Sequence, residues 1–278
     1  MKLIRHGAAG AEKPGLVDAE GRLRDLSAHV PDIAGAALDD VTLGRLRALD
    51  PAQLPLLPAD TRLGACVGGT RHFIAIGLNY ADHAAESNMP IPPEPIVFSK
   101  APSSIAGPND ACILPPGASK VDWEVELAIV IGRRAYQVSE AQALDYVAGY
   151  CVCNDLSERV WQLERSGQWI KGKSAPGFGP IGPWLVTRDE VPNPLALELT
   201  LDVNGERKQT GSTSTMIFGP AFLISYLSQF MVLEPGDIIT TGTPPGVGMA
   251  SNQYLKPGDT VRLSVQGLGE QTTTFVVS

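Results

Sequence analysis

Apolar residues along the chain come mostly in short runs separated by Gly, Pro and Asn, the pattern of many strands and few helices. Runs at residues 73–77, 96–99, 112–114, 122–131, 147–155, 195–203, 238–240, 260–265 and 271–277 predict strands. Asn204-Gly205 is a strong hairpin signal, and the last two runs form a second predicted hairpin. Helical periodicity is confined to residues 42–49, with Thr42 as N-cap, to a short helix within 78–86, to 139–146 behind a capping-box pattern at Ser139, and to 221–230. Residues 88–95 are too rich in proline for regular structure and could form a lid with the helix before them. Ahead of all this, short strands at 2–5, 15–18 and 22–26 surround a turn at Ala19-Glu20-Gly21, and Pro51, Pro55 and Pro58 mark a linker. The expected division is a small N-terminal domain at 1–65 and a larger domain at 66–278.

Composition agrees with that pattern. With 29 glycines and 23 prolines the chain favours turns over a helical bundle, so the expected class is α+β, predominantly β. Against 30 acidic residues stand 22 basic ones, giving a net charge of −8 without a basic block, which argues against nucleic acid as a partner. No run approaches the ~18 apolar residues of a membrane span, and residues 1–6 lack a signal peptide's apolar stretch, so a cytoplasmic protein is expected. Cys66, Cys112, Cys151 and Cys153 have no metal-site spacing and read as small buried hydrophobes in a reducing compartment.

The stretch 121–131 alternates acids with apolar residues before turning wholly apolar. As a strand it would set Asp122, Glu124 and Glu126 on one face, with Cα atoms roughly 6.5 to 7 Å apart from one acid to the next. Carboxylates so placed repel one another and need a cation, protons or open water. A solvated acidic edge and a cation site both satisfy that need. Asp155, at the end of the predicted strand 147–155, could cap a following helix or supply a third ligand. His83 and Glu86 stand at i, i+3 of the short helix, where the carboxylate can orient the imidazole and raise its basicity. Lys173 is either a solvated loop lysine or an amine able to hold an anion.

Six motifs, in order, resemble those of the fumarylacetoacetate hydrolase family: residues 77–83 (GLNYADH), 122–127 (DWEVEL), 154–159 (NDLSER), 172–174 (GKS), 182–183 (GP) and 241–244 (TGTP). The resemblance covers residues 70–278 and implies a rolled, layered mixed β-sheet fold with few helices behind a small N-terminal α/β leader. It implies Mg²⁺, with Mn²⁺ or Ca²⁺ as alternatives, held by Glu124, Glu126 and Asp155, a catalytic pair His83–Glu86, and substrate contacts from Lys173, Gln162 and Thr243. It further implies a homodimer acting on a small keto acid, and gives Asp122 a supporting role rather than that of a ligand.

The activity so implied is hydrolysis of a carbon–carbon bond in a 2,4-dioxo acid to pyruvate and a second acid. The metal would serve as Lewis acid, His83 would activate water and Lys173 would balance the charge of the leaving enolate. The same site could serve a decarboxylase, an isomerase or a ureidoglycolate-type lyase, or belong to an inactive metal-binding member. Ser157-Glu158-Arg159, Gln168-Trp169 and Lys13-Pro14-Gly15 resemble the branch acting on 2,4-diketo-3-deoxy sugar acids, whose chains are often labelled ureidoglycolate lyase. Residues 175–178, Ala-Pro-Gly-Phe, depart from the aromatic-Asp-Thr sequence common in the family, which suggests a reshaped substrate loop.

Overall fold

A computed structural model describes residues 1–86 and 89–277. Two sheets organise it. The larger, ten-stranded, runs Leu23–Asp25, Lys13–Val17, Lys2–His6, Gly179–Thr187, Val147–Asn154, Val125–Ile131, Ile238–Thr240, Phe73–Gly77, Ile96–Lys100, with Ile105–Ala106 paired to Gly179–Thr187. The smaller, five-stranded, runs Glu206–Ser212, Glu198–Val203, Thr260–Val265, Gly269–Val276, Cys112–Ile113. The protein is predominantly β with few helices, as its composition predicts.

Val125–Ile131 and Val147–Asn154 are buried at every position, which is why their sequences lose the alternation of a one-sided strand. Val125, Leu127, Ile129 and Ile131 join a core with Leu199, Leu201 and Leu263 of the smaller sheet. Ala128 and Val130, on the opposite face, pack with Cys151, Cys153 and N-terminal residues such as Leu3, Leu38 and Leu43. Residues 1–65 therefore share both sheet and core with the chain that follows, through antiparallel pairing of Lys2–His6 with Gly179–Thr187. All four cysteines are free and buried, as expected of small core residues. Among the described residues no helix is long and apolar enough to cross a membrane.

Several elements differ from expectation. The strand expected at 122–131 is broken: Val121–Asp122 pairs with Ser157–Glu158, and the long strand starts only at Val125. Side chains take over the backbone there, since Trp123 N–H donates to Asp122 (2.8 Å), Glu124 N–H to Asn154 (3.2 Å) and Val125 N–H to Gln209 (3.0 Å). The N-cap of the first α-helix, Asp40–Arg47, is Asp39 rather than Thr42, because the Asp39 carboxylate accepts the Thr42 N–H at 2.6 Å. The helix expected over 139–146 is one α turn, Glu140–Ala143, tightening into a 3₁₀ turn, Leu144–Tyr146; the Ser139 hydroxyl bonds the Gln142 side chain instead of capping a backbone N–H. Gly179–Thr187 is a strand that Pro180 and Pro183 hide in the sequence, and its pairing with Val147–Asn154 is irregular between Tyr150 and Val152. Of the predicted lid at 88–95, Asn88 lies outside the described residues, and residues 89–95 carry neither helix nor strand.

The N-terminal hairpin is pinned by Asp18, which accepts the backbone N–H groups of Glu20 (3.1 Å) and Arg22 (2.8 Å) and pairs with the Arg22 and Arg24 guanidiniums, each at 2.9 Å. Burial works to raise its pKa, but the Arg22 N–H and the two guanidiniums outweigh it and hold the carboxyl at about 2. A folded-state pKa below the unfolded value of about 3.9 stabilises the fold above that value, and the contribution fades as pH falls through the folded pKa. Asp18→Asn is therefore expected to lower the urea midpoint clearly at pH 7, with the difference from wild type shrinking between about pH 4 and pH 2. A difference that stays constant over that interval would show that the ionised carboxylate is not what stabilises the turn.

Candidate active site

Three carboxylates meet where the strands Val125–Ile131 and Val147–Asn154 end together. Glu126 lies within the first strand opposite Cys153 of the second. Glu124 sits in the break before Val125, and Asp155 directly follows Asn154. The Asp155 N–H donates to the Glu124 carbonyl at 2.9 Å, so the two side chains project from backbone that is itself bonded together. One oxygen from each of Glu124, Glu126 and Asp155 lies within 4.8 Å of the others. The open alternatives close here: these acids are buried, not a solvated edge, and Asp155 caps no helix, since Ser157–Glu158 is a strand.

Buried carboxylates need compensation. Lys173 reaches Glu124 and Asp155, each at 2.8 Å, from the helical turn Ile170–Lys173. It is 2% exposed, so it is not a solvated loop lysine. Gly172 makes this possible: a Cβ there would stand 2.4 Å from the Glu158 carbonyl oxygen, so only glycine lets the turn pack close enough. Arg159 donates to Glu124 (2.7 Å), Asp122 (2.8 Å) and Gln162 (2.9 Å). Lys100, 1% exposed at the end of Ile96–Lys100, donates to Asp155 (2.5 Å) and to the Leu156 and Lys173 carbonyls.

The resulting charges are unequal. Glu124, despite burial, is held at about pKa 2 by Lys173 and Arg159. Glu126 is pushed well above the usual carboxylate range, first by burial and then by the charges of Asp155 and Glu124. Among the described residues Glu126 has no ion-pair partner, its recorded bond being the one it accepts from Gly242 N–H at 2.8 Å. Asp122, Glu124, Glu126 and Asp155 face three cations, Lys100, Lys173 and Arg159, which leaves one negative charge in excess when all are ionised. An all-oxygen donor set whose one unpaired carboxylate, Glu126, is disfavoured as an anion until further positive charge is supplied fits a hard divalent cation.

His83 and Glu86 lie on the helix Ala81–Glu86, with His83 Nδ1 and Glu86 Oε2 3.0 Å apart. Glu86 also accepts the Gly246 N–H at 3.0 Å, which ties the pair to the loop at 241–248. In that loop Thr243 donates to the Val125 carbonyl (2.9 Å) and accepts from Gln209 (2.8 Å), so its hydroxyl is fixed in place. A cavity of about 380 Å³ is lined by His83, Glu86, Glu124, Glu126, Gln162, Lys173 and Thr243 together, and Asp155, outside that lining, is bonded to Lys173.

Sequence reasoning missed Lys100 and gave Arg159 no role. A lysine closing an apolar strand, and an arginine four residues after Asp155, were the available signals. Asp122 accepts from Gly248 N–H (2.6 Å) and Met249 N–H (2.9 Å) as well as from Arg159, so it holds the cavity wall instead of facing the acid cluster. The unusual residues 175–178 do not line the cavity: Phe178 is fully buried in the core, and Gly177, at φ +82°, turns over Cys112.

Residues 72–276 match the fumarylacetoacetate (FAA) hydrolase C-terminal family. A Burkholderia cenocepacia protein whose name assigns it provisionally as a hydrolase is 63% identical over 274 residues, covering 98% of this chain and 97% of its own. Fumarylacetoacetate hydrolase from psychrophilic Exiguobacterium antarcticum superposes with a TM-score of 0.88 at 35% identity, over 100% of both chains. Maleylpyruvate hydrolase from Sphingobium sp. SYK-6, solved in complex with manganese(II) and pyruvate, superposes with a TM-score of 0.84 at 29% identity, again over 100% of both chains. The match across 72–276 and the relatives that span the whole chain identify this protein as a member of the fumarylacetoacetate hydrolase family.

Proposed function

We propose that the chain is a divalent-metal-dependent hydrolase that cleaves a carbon–carbon bond in 2,4-dioxo acids, adding water to release pyruvate and a second carboxylic acid. The observation that carries this reading is the convergence of three kinds of group at one cavity: Glu124 and Glu126, clustered with Asp155 beside it, the buried amine of Lys173, and the pair His83–Glu86. Pyruvate and manganese bound together in a whole-chain structural relative support it.

Glu124, Glu126 and Asp155 would hold the ion, Mg²⁺ or Mn²⁺. When bound, the ion supplies Lewis-acid polarisation of the substrate's oxygens. Glu86 holds the His83 ring through Nδ1, which leaves Nε2 to take a proton from water entering the cavity. The water oxygen adds to the distal carbonyl, the bond between that carbon and the methylene breaks, and the electron pair leaves on the pyruvate fragment as an enolate, whose methylene carbon then takes up a proton to give pyruvate. Lys173 keeps a positive charge beside the acid cluster: burial opposes protonation, but Asp155 and Glu124 outweigh it and raise its pKa. That charge offsets the negative charge developing on the departing fragment.

Pyruvate release from a panel of 2,4-dioxo acids, coupled to lactate dehydrogenase, is expected to stop in EDTA and return with Mn²⁺ or Mg²⁺. Evolution of CO₂ or an isomerised product without pyruvate would sink the hydrolase reading. His83→Ala is expected to lower kcat by about 10² to 10⁴, the usual range for a lost general base, with a melting temperature close to wild type. Unchanged turnover would remove His83 from the mechanism. Calorimetric titration of Mn²⁺ into Glu126→Gln should show affinity at least about tenfold weaker than wild type, in line with the loss of an anionic ligand. Equal affinity would place the ion elsewhere.

A further inference from the structure

Ile96–Lys100 lies at one edge of the ten-stranded sheet, and its last residue turns an amine inward. Lys100 is 1% exposed, with its Nζ 5.9 Å from the ring centre of Phe73, its partner on the neighbouring strand. An ammonium carries three donors, and each finds an acceptor: Asp155 Oδ1 at 2.5 Å, the Leu156 carbonyl at 3.3 Å, and the Lys173 carbonyl. Lys100 does not line the cavity, so it acts on the site only through the groups it holds.

Two of its bonds close a ring. From Lys100 Nζ the ring runs to Asp155 Oδ1, through the carboxylate to Oδ2, across 2.8 Å to Lys173 Nζ, along Lys173 to its own carbonyl, and back to Lys100. That carbonyl ends the four-residue turn Ile170–Lys173, where a helix has no N–H of its own left to offer. A second tie joins the same two segments, since Ala101 N–H donates to Ser174 Oγ at 2.8 Å. The end of one strand therefore holds both a carboxylate of the acid cluster and the backbone that carries the Lys173 amine.

The three acids differ in what fixes them. Glu124 has Arg159 on one oxygen and Lys173 on the other, and Glu126 accepts the Gly242 N–H. Asp155 has Lys100 on Oδ1 and Lys173 on Oδ2. Without Lys100 the ring opens at two points at once: Asp155 is free to turn about its carboxylate bond, and the turn bearing Lys173 loses its anchor.

We propose that Lys100 is a positioning residue, whose amine sets the orientation of Asp155 toward a divalent ion and fixes the Lys173 turn beside it. This rests on the reading of Glu124, Glu126 and Asp155 as ligands of that ion. The alternative is a lysine that merely balances charge, and the two roles predict opposite signs. Like charges repel, so loss of a charge-balancing amine would tighten Mn²⁺ binding. Loss of a group that orients a ligand weakens it, typically by 10- to 100-fold.

Calorimetric titration of Mn²⁺ into wild type, Lys100→Met and Lys100→Arg, at a temperature where circular dichroism shows each chain folded, decides between them. Met keeps the length of the side chain without its amine, and Arg keeps the charge without the geometry of the three bonds. The expected result is affinity about 10- to 100-fold weaker in both. A purely structural lysine would lower the melting temperature and leave the affinity of the folded protein unchanged. Equal or tighter affinity in either folded variant overturns the proposal. Where Lys100→Met does not fold, Lys100→Arg decides alone, and failure of both to fold makes Lys100 a residue of stability and overturns it as well. No Mn²⁺ binding by wild type fells the metal reading and this proposal with it, whereas wild-type binding with unweakened variants fells this proposal alone.

Discussion

The structure depends on burying four carboxylates and three cations at the point where two central strands end. Desolvation costs several kcal/mol for each isolated ion, so all but Glu126 are buried as ion pairs, and Glu126 is pushed toward its neutral form. Each cation is therefore shared: Lys173 bridges Glu124 and Asp155, Arg159 bridges Glu124 and Asp122, and Lys100 joins Asp155 to two backbone carbonyls. Sharing fixes the chain as well as the charge. The break between Asp122 and Val125, the small strand Ser157–Glu158 and the helical turn Ile170–Lys173 are the local conformations that bring these groups into reach.

The same cluster organises its surroundings through the backbone. Asp122 carries Arg159 on one oxygen and the N–H groups of Gly248 and Met249 on both, so the charge network and the cavity wall cannot move independently. Gly246, at φ +103°, offers its N–H to Glu86 and packs so closely that a Cβ would stand 1.9 Å from the Lys208 carbonyl oxygen. Only glycine meets both demands. His83 and Glu86 are thus positioned from outside their own short helix, which at six residues is too short to hold a side chain rigidly by itself.

What the sequence revealed follows from how local each feature is. The apolar runs gave most strands, and the i, i+3 spacing of His83 and Glu86 gave their contact, because both are fixed by neighbours along the chain. Gly179–Thr187 stayed hidden because its prolines speak against a central strand, a local rule that the irregular pairing there overrides. Asp122 was placed on the acid face by strand alternation, and the break at Trp123 and Glu124 turned it to Arg159 instead. The burial of Lys100 and Lys173 could not be read at all, since it arises from partners 55 and 18 residues away.

Two parts of the cavity therefore carry different information. Its charged floor is built from the motifs that resemble the family, and those groups are constrained by charge balance whatever the substrate: removing one partner strands another buried ion. Its apolar rim, by contrast, comes from Met89, Leu163, Trp169 and Met249, which lie on separate segments outside those motifs and balance no charge. The departure at residues 175–178, which the sequence suggested would reshape the substrate loop, lies outside the cavity lining, with Phe178 buried in the core. Family resemblance therefore informs the floor, and on the rim it reaches Trp169 alone, through the pair Gln168-Trp169.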